Sequence, residues 1–225
     1  MYLYPSYWTY AIPGMLLALI AQWAVRSTFA RYARVPTASG ISGAQTAQLL
    51  MERTGLRFNV ARTPGILTDH YDPATKTLAL SQSSVQNSVA SVAVVAHEFG
   101  HAMQDAHDYM PLRLRGAIVP AVQVGAWVGP LLFFVGAIMA QPSLMWLGFI
   151  AFAATAVFAI FTLPVELNAS NRAMQLLAGN GILAREELGG ARKVLNAAAF
   201  TYVAAVAQSI LTLLYYASFL GGRRR

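Results

Sequence analysis

Between Gly116 and Val165 the chain carries no charged side chain over 50 consecutive residues. A helical crossing of a bilayer takes ~20 apolar residues, so this run is long enough for two crossings. Gln141-Pro142-Ser143, near its middle, is the kind of cluster that breaks a helix and turns the chain. The expected unit is a transmembrane hairpin, roughly 117–140 and 144–163. Two further stretches lack charge, Met1 to Val25 and Val194 to Gly222. They predict one span near 8–25 and a fourth near 198–219. Only 11% of the 225 residues are charged and 56% are hydrophobic, against roughly 25% charged in soluble domains. This composition argues against intrinsic disorder, a collagenous repeat and a plain cytosolic enzyme. The first apolar stretch is read as an uncleaved anchor. It has no basic residues before it, and Arg26, Arg31 and Arg34 follow it, the reverse of a secretory signal.

The excess of base, 16 Lys and Arg against 9 Asp and Glu, is topological on this reading. The basic residues flank the spans, as the positive-inside rule describes, and a nucleic-acid partner is not expected. A hairpin returns the chain to the face it left, so the polar segments on either side of it share one face. Four full crossings make that face cytoplasmic and put both termini outside. The Arg223-Arg224-Arg225 tail opposes this assignment, and a re-entrant last segment is the alternative. The chain has no cysteine, which removes disulfides, thiolate metal sites and cysteine nucleophiles.

Residues 36–110 have a different character and hold all four histidines. Ser42 is placed to cap a helix over 42–53, with Gly55 just beyond its end. A short strand is expected near 56–60. Two more, 66–70 and 76–80, flank Asp72-Pro73-Ala74-Thr75, which is turn chemistry. Residues 88–107 contain no proline and read as one helix.

That helix contains His97-Glu98-Phe99-Gly100-His101. Positions i and i+4 lie ~40° apart on one helical face, so two imidazoles can reach one Zn²⁺ at ~2.0–2.1 Å. Glu98, one step round the helix, is placed to take a proton from water at the metal. The pattern is expected by chance on the order of 0.002 times in a chain of this composition. The preceding residues, Val92-Ala93-Val94-Val95-Ala96, are apolar, so the helix is core-packed. Burying two histidines and a glutamate in such a helix demands a compensating function. A catalytic zinc needs a third protein ligand. His107 has the spacing of a third histidine, but on an unbroken helix it points ~80° away from His97. Glu166, the sole acid between Asp108 and Glu186, is the better candidate, because the hairpin carries it back to the face of the histidines. Pro164 is suited to the first turn of a new helix there.

Three stretches together resemble the YugP-type neutral zinc metallopeptidases, small multi-span membrane proteins. They are Leu67-Thr68-Asp69-His70-Tyr71-Asp72-Pro73, Val94-Val95-Ala96-His97-Glu98-Phe99-Gly100-His101-Ala102-Met103-Gln104, and Leu163-Pro164-Val165-Glu166-Leu167-Asn168-Ala169-Ser170-Asn171-Arg172-Ala173. With Ser42-Gly43-Ala44 they spread over nearly the whole chain. The third also resembles the E-x-x-A-D segment of the HtpX and Ste24 membrane proteases, which implies the third ligand at Glu166. Ser170 stands where those proteases have Asp, and a hydroxyl is a weaker acceptor for orienting a histidine ligand.

The resemblance implies a mainly α integral membrane protein of about four transmembrane helices, with a small α+β zincin-like insert carrying the H-E-x-x-H helix. The expected segments are a membrane anchor and basic flank (1–35), the insert (36–115), the hairpin (116–165), a polar helix with the third ligand (166–193), and a last membrane segment with a basic tail (194–225). The expected activity is that of a zinc-dependent endopeptidase of the gluzincin type acting on protein or peptide substrates, in the quality control of membrane-associated or misfolded proteins. One Zn²⁺ per chain is held by His97, His101 and Glu166, and Glu98 is the general base. His70, Tyr71 and Arg172 are candidate transition-state stabilisers, and the hairpin that carries His70 and Tyr71 could dock an extended substrate by strand addition. The site is expected at the cytoplasmic face of the cell membrane. A zinc-stabilised scaffold that binds partners without cleaving them is the rival reading.

Overall fold

The computed structural model describes residues 5–222, and the terminal arginine triplet lies outside them. The protein is mainly helical. In chain order the elements are α1 (Pro5–Tyr32), α2 (Gly43–Thr54), β1 (Asn59–Arg62), β2 (His70–Asp72), β3 (Thr77–Leu80), α3 (Val89–Ala106), α4 (Met110–Ile138), α5 (Pro142–Gly179) and α6 (Arg185–Gly222), with a 3-10 turn at Gln82–Val85 after β3. Four helices, α1, α4, α5 and α6, are long and apolar enough to cross a membrane. Three of the expected spans fall within them, and the one expected at 117–140 overruns the end of α4 at Ile138 by two residues. The chain divides into two compact units.

One unit takes the chain up to Gln22, Leu114–Pro164 and the part from Phe200 onward. Small residues let α4 and the first half of α5 approach closely. A Cβ on Gly125 would lie 2.8 Å from the Ala151 carbonyl oxygen, one on Gly129 2.9 Å from the Phe152 nitrogen, and one on Gly136 2.7 Å from the Met145 nitrogen. Gly125 and Gly129 are spaced as in the G-x-x-x-G pattern, which packs helices in lipid where no hydrophobic drive exists between them. Phe133 and Tyr216 stack with centroids 4.0 Å apart and planes 15° apart, at the centre of a cluster with Ala137, Met145 and Tyr215. Trp127, Leu131, Ile138, Ile150 and Phe161 are exposed, as side chains facing lipid would be.

The other unit takes Trp23–Arg113 and Val165–Ala199 and contains the sheet. Ser42 caps α2 as expected: its hydroxyl accepts from the Gln45 N–H at 3.2 Å, and the Gln45 side chain accepts from the Ser42 N–H at 2.8 Å. This reciprocal pair satisfies two donors that a helix start leaves open. Gly55 ends the helix at φ +72°, a conformation that costs glycine little. Helix α2 buries Gly43, Thr46, Ala47 and Leu50, a 3.6-residue stripe that packs on the sheet side with Leu78, Leu80 and Val95. Helix α3 is buried almost all round. It is the centre of the main core, in which Val89, Val92, Ala96 and Phe99 pack with Ala173, Leu177, Ile182, Ala191 and Leu195.

The sheet order is β1-β3-β2. Strands β2 and β3 form the expected hairpin, with Tyr71 opposite Leu78. Asp72 builds its turn by accepting from the Ala74 N–H at 2.9 Å and the Thr75 hydroxyl at 2.7 Å. These bonds hold the Asp72 carboxyl below the usual carboxylate range. Two strand placements differ from expectation. The first strand is 59–62, not 56–60, and it pairs parallel to β3. The second begins only at His70. The residues before it form a connection stapled by Asp69, whose carboxylate accepts from the Ser81 N–H at 2.7 Å, the Ser81 hydroxyl at 2.6 Å and the Ser84 hydroxyl. Side-chain hydrogen bonding there outcompetes strand pairing.

A third difference concerns Pro164. The expectation of a fresh helix near Pro164 is not met, because α5 continues through it. Proline removes one backbone donor, which membrane helices tolerate where neighbours satisfy the freed group.

Candidate metal centre

Helix α3 projects His97 and His101 from one face, with ring centroids 4.8 Å apart. Glu166 enters from α5. Its Oε2 lies 3.2 Å from His97 Nε2 and 3.4 Å from His101 Nε2. One donor atom from each of the three residues lies within 4.8 Å of the others. His107 is not in this group. It caps α3, and its Nδ1 donates to the Met103 carbonyl at 2.6 Å.

The donor set fits a zinc ion on two counts. Four ligands at ~2.0–2.1 Å in a tetrahedron are separated by edges of about 3.3 Å, which lies between the two N···O distances of 3.2 and 3.4 Å. Glu166 is 2% exposed, and its buried carboxylate calls for positive charge beside it. A divalent cation held by the three residues would supply it.

The close approach of α3 and α5 depends on Gly100. A Cβ there would lie 2.5 Å from the Ala169 carbonyl oxygen and 3.1 Å from its carbon. The glycine between the two histidines therefore lets the backbone that carries Glu166 come near enough.

Glu98 is half-buried on the same helix, and its Oε2 accepts from the Tyr71 backbone N–H at 3.0 Å. Tyr71 lies on β2, an edge strand of the sheet. Desolvation, with the Glu166 charge added, outweighs the two imidazoles and raises the Glu98 carboxyl above its ordinary range. The Tyr71 hydroxyl donates to Asp105 Oδ2 at 2.7 Å, and Lys76 Nζ reaches the same oxygen at 2.5 Å. Burial and the Asp105 carboxylate raise the Tyr71 phenol, so it remains a donor. His70 is exposed, and its Nδ1 donates to the Thr68 carbonyl at 2.9 Å. Arg172 Nε donates to Asn168 Oδ1 at 2.8 Å.

Around the histidines lie two partners. Ser170 Oγ is 3.1 Å from His97 Nδ1, so the serine at the aspartate position does reach the ring. Gln104 Oε1 is 2.9 Å from His101 Nδ1. Sequence reasoning assigned Gln104 no part in the site. The available signal was its i+3 spacing from His101, which puts both on one face of α3.

Two imidazoles and a buried carboxylate meeting beside a second carboxylate, that of Glu98, form a candidate metal centre in a chain with four membrane-length helices. Comparison with known sequences agrees. The family described as "putative neutral zinc metallopeptidase" matches residues 7–221, and the chain belongs to that family. It is 41% identical over 216 residues, 94% of this chain and 96% of the relative, to the "putative membrane protease YugP" of Bacillus subtilis strain 168. No solved structure matches the chain.

Proposed function

We propose that this chain is a membrane-embedded zinc endopeptidase, with one Zn²⁺ held by His97, His101 and Glu166 and with Glu98 as general base. The observation that carries the proposal is the convergence of two Nε2 atoms and one carboxylate oxygen at 3.2 and 3.4 Å, beside a carboxylate whose affinity for protons is raised. Zinc, when bound, supplies the Lewis acidity that makes water nucleophilic at neutral pH and polarises a peptide carbonyl. Glu98 would take a proton from the attacking water and return it to the departing amine. The Tyr71 N–H orients the carboxylate for both transfers.

The transition state gathers charge on the carbonyl oxygen, and donors aimed there lower the barrier. Three residues are proposed for this role. Arg172 gives Nε to Asn168 and has four other N–H donors. Tyr71 has a single hydroxyl hydrogen, given to Asp105 in this structure, so it serves only by turning that hydroxyl from Asp105 to the substrate. His70 gives its Nδ1–H to Thr68, so it serves only as imidazolium, through Nε2–H. Edge strand β2 lies beside Glu98, and main-chain pairing along it suits an extended substrate of varied sequence. Such tolerance suits the quality control of membrane-associated or misfolded proteins. The basic flanks support a site at the cytoplasmic face, and the proposed segment organisation is 1–35, 36–115, 116–165, 166–193 and 194–225.

The test is Glu98→Gln in the detergent-solubilised full chain. The variant keeps one zinc per chain and loses casein or peptide cleavage by 10²-fold or more. A wild type that holds zinc yet cleaves no protein or peptide would show that the metal only supports a partner-binding scaffold.

A further inference from the structure

We propose that Gln104 is a positioning residue that holds His101 in the tautomer with hydrogen on Nδ1 and Nε2 open, and that it clamps the peptide carrying Glu166. This rests on the reading of His97, His101 and Glu166 as metal ligands.

Gln104 is 0% exposed, and each end of its amide meets a partner. Nε2 donates to the Val165 carbonyl at 2.8 Å and to Asn168 Oδ1 at 3.0 Å, while Oε1 lies 2.9 Å from His101 Nδ1. An amide's orientation is normally ambiguous, because its oxygen and nitrogen are interchangeable in outline. Here two fixed groups remove the ambiguity. The Val165 carbonyl can only accept, so it must face the Gln104 nitrogen. Arg172 Nε can only donate, so the Asn168 atom it touches must be oxygen, and that oxygen in turn requires a donor from Gln104. The Gln104 oxygen is left facing His101 and can only accept. His101 must then carry its hydrogen on Nδ1, which opens Nε2 toward Glu166 Oε2.

The partner of His97 imposes no such choice. Ser170 Oγ can donate or accept, so it supports either tautomer. Only the His101 side of the centre has its polarity set by groups that cannot reverse.

The same side chain also acts on the third ligand. The Val165 carbonyl belongs to the peptide whose nitrogen is that of Glu166. By bonding it, Gln104 ties α3 to α5 one residue before the carboxylate. A single amide therefore sets which nitrogen of His101 is free and holds the backbone that presents Glu166 to it.

The experiment compares wild type, Gln104→Met and Gln104→Glu as full-length detergent-solubilised protein. The measurements are zinc affinity, by competition with a chromogenic chelator, and thermal stability of the zinc-free form. Met fills the volume but removes the acceptor and both donors. Glu keeps an acceptor for His101 and turns carboxylate oxygen toward the Val165 carbonyl. The expected zinc affinities run wild type, then Glu, then Met, with Met weakened 10- to 100-fold, the usual effect of losing such a partner. Zinc-free stability should run in a different order, wild type, then Met, then Glu, because Glu buries a charge. Zinc affinity within twofold of wild type for Met, or zinc affinity that follows the stability order, overturns the proposal.

Should both variants fail to fold, the wild type decides. With ¹⁵N-histidine and bound zinc, the His101 signal, assigned by its loss in His101→Gln, should show hydrogen on Nδ1. Hydrogen on Nε2 overturns the proposal. A wild type that takes up no zinc instead overturns the ligand assignment itself, a separate result.

Discussion

Gly100→Ala opposes two forces whose sizes can be compared. Within an isolated helix, alanine is favoured over glycine by ~0.8–1.0 kcal/mol, so local reasoning predicts a more stable α3. The packing predicts the reverse. The new Cβ would sit 2.5 Å from the Ala169 oxygen, where ordinary contact begins at 3.4 Å. The two backbones must part by the difference, about 0.9 Å. Overpacking of this kind costs about 1–3 kcal/mol, enough to cancel or exceed the helix gain. The larger effect falls on the metal. Ala169 lies three residues beyond Glu166 on α5, and a metal site tolerates ligand shifts of roughly 0.2 Å. A displacement several times that should weaken zinc binding by at least tenfold, about 1.4 kcal/mol, and reduce peptide cleavage at limiting zinc. The assay is chelator competition on solubilised Gly100→Ala. Gly189→Ala serves as control, since it lies in α6 with nothing beyond its own stretch of helix within 4 Å of the added Cβ and gains the same propensity. Zinc affinity equal to wild type in Gly100→Ala would refute the claim that this close contact sets the ligand geometry.

Other expectations follow from the same geometry. His97→Ala and Glu166→Ala should each lose bound zinc, measured as metal content per chain after gel filtration, and a Glu166→Ala protein with full metal content removes α5 from the centre. In the metal-free chain desolvation of His101 is outweighed by the Glu166 bond and the two nearby carboxylates, and its ring is raised above the ordinary imidazole value. Protons therefore compete with zinc from a higher pH than free imidazole would allow. Affinity should be full on the alkaline side and fall as pH drops through that raised value, which zinc titrations across a pH series would show. Ser42→Ala removes the capping box of α2 and should cost about 1 kcal/mol, read as a lower melting temperature at unchanged zinc affinity.

Much of the fold is legible because its causes are local. The 50-residue uncharged run dictates spans whatever surrounds it, since no water-exposed arrangement tolerates it. Ser42 and Gln45 find each other across three residues, Gly55 takes a left-handed turn, and Asp72 folds its own turn. His97 and His101 share a helical face wherever that helix is placed. What local rules mispredict are the places where remote groups decide. The first strand pairs with β3 through a parallel register that no neighbouring residue specifies. Asp69 converts an expected strand into a stapled connection by reaching Ser81.

The amino-acid order by itself determined the membrane character, the two histidines on one turn spacing, and Glu166 as the acid suited to join them. Tertiary structure alone decided that the three donor atoms meet, that α5 runs unbroken through Pro164, and that Gln104 faces His101 with its oxygen. The physical reason is range. Periodicity and capping act over a few residues along the chain. Ligand convergence and amide polarity depend on two helices packed at a glycine, brought together from positions more than sixty residues apart.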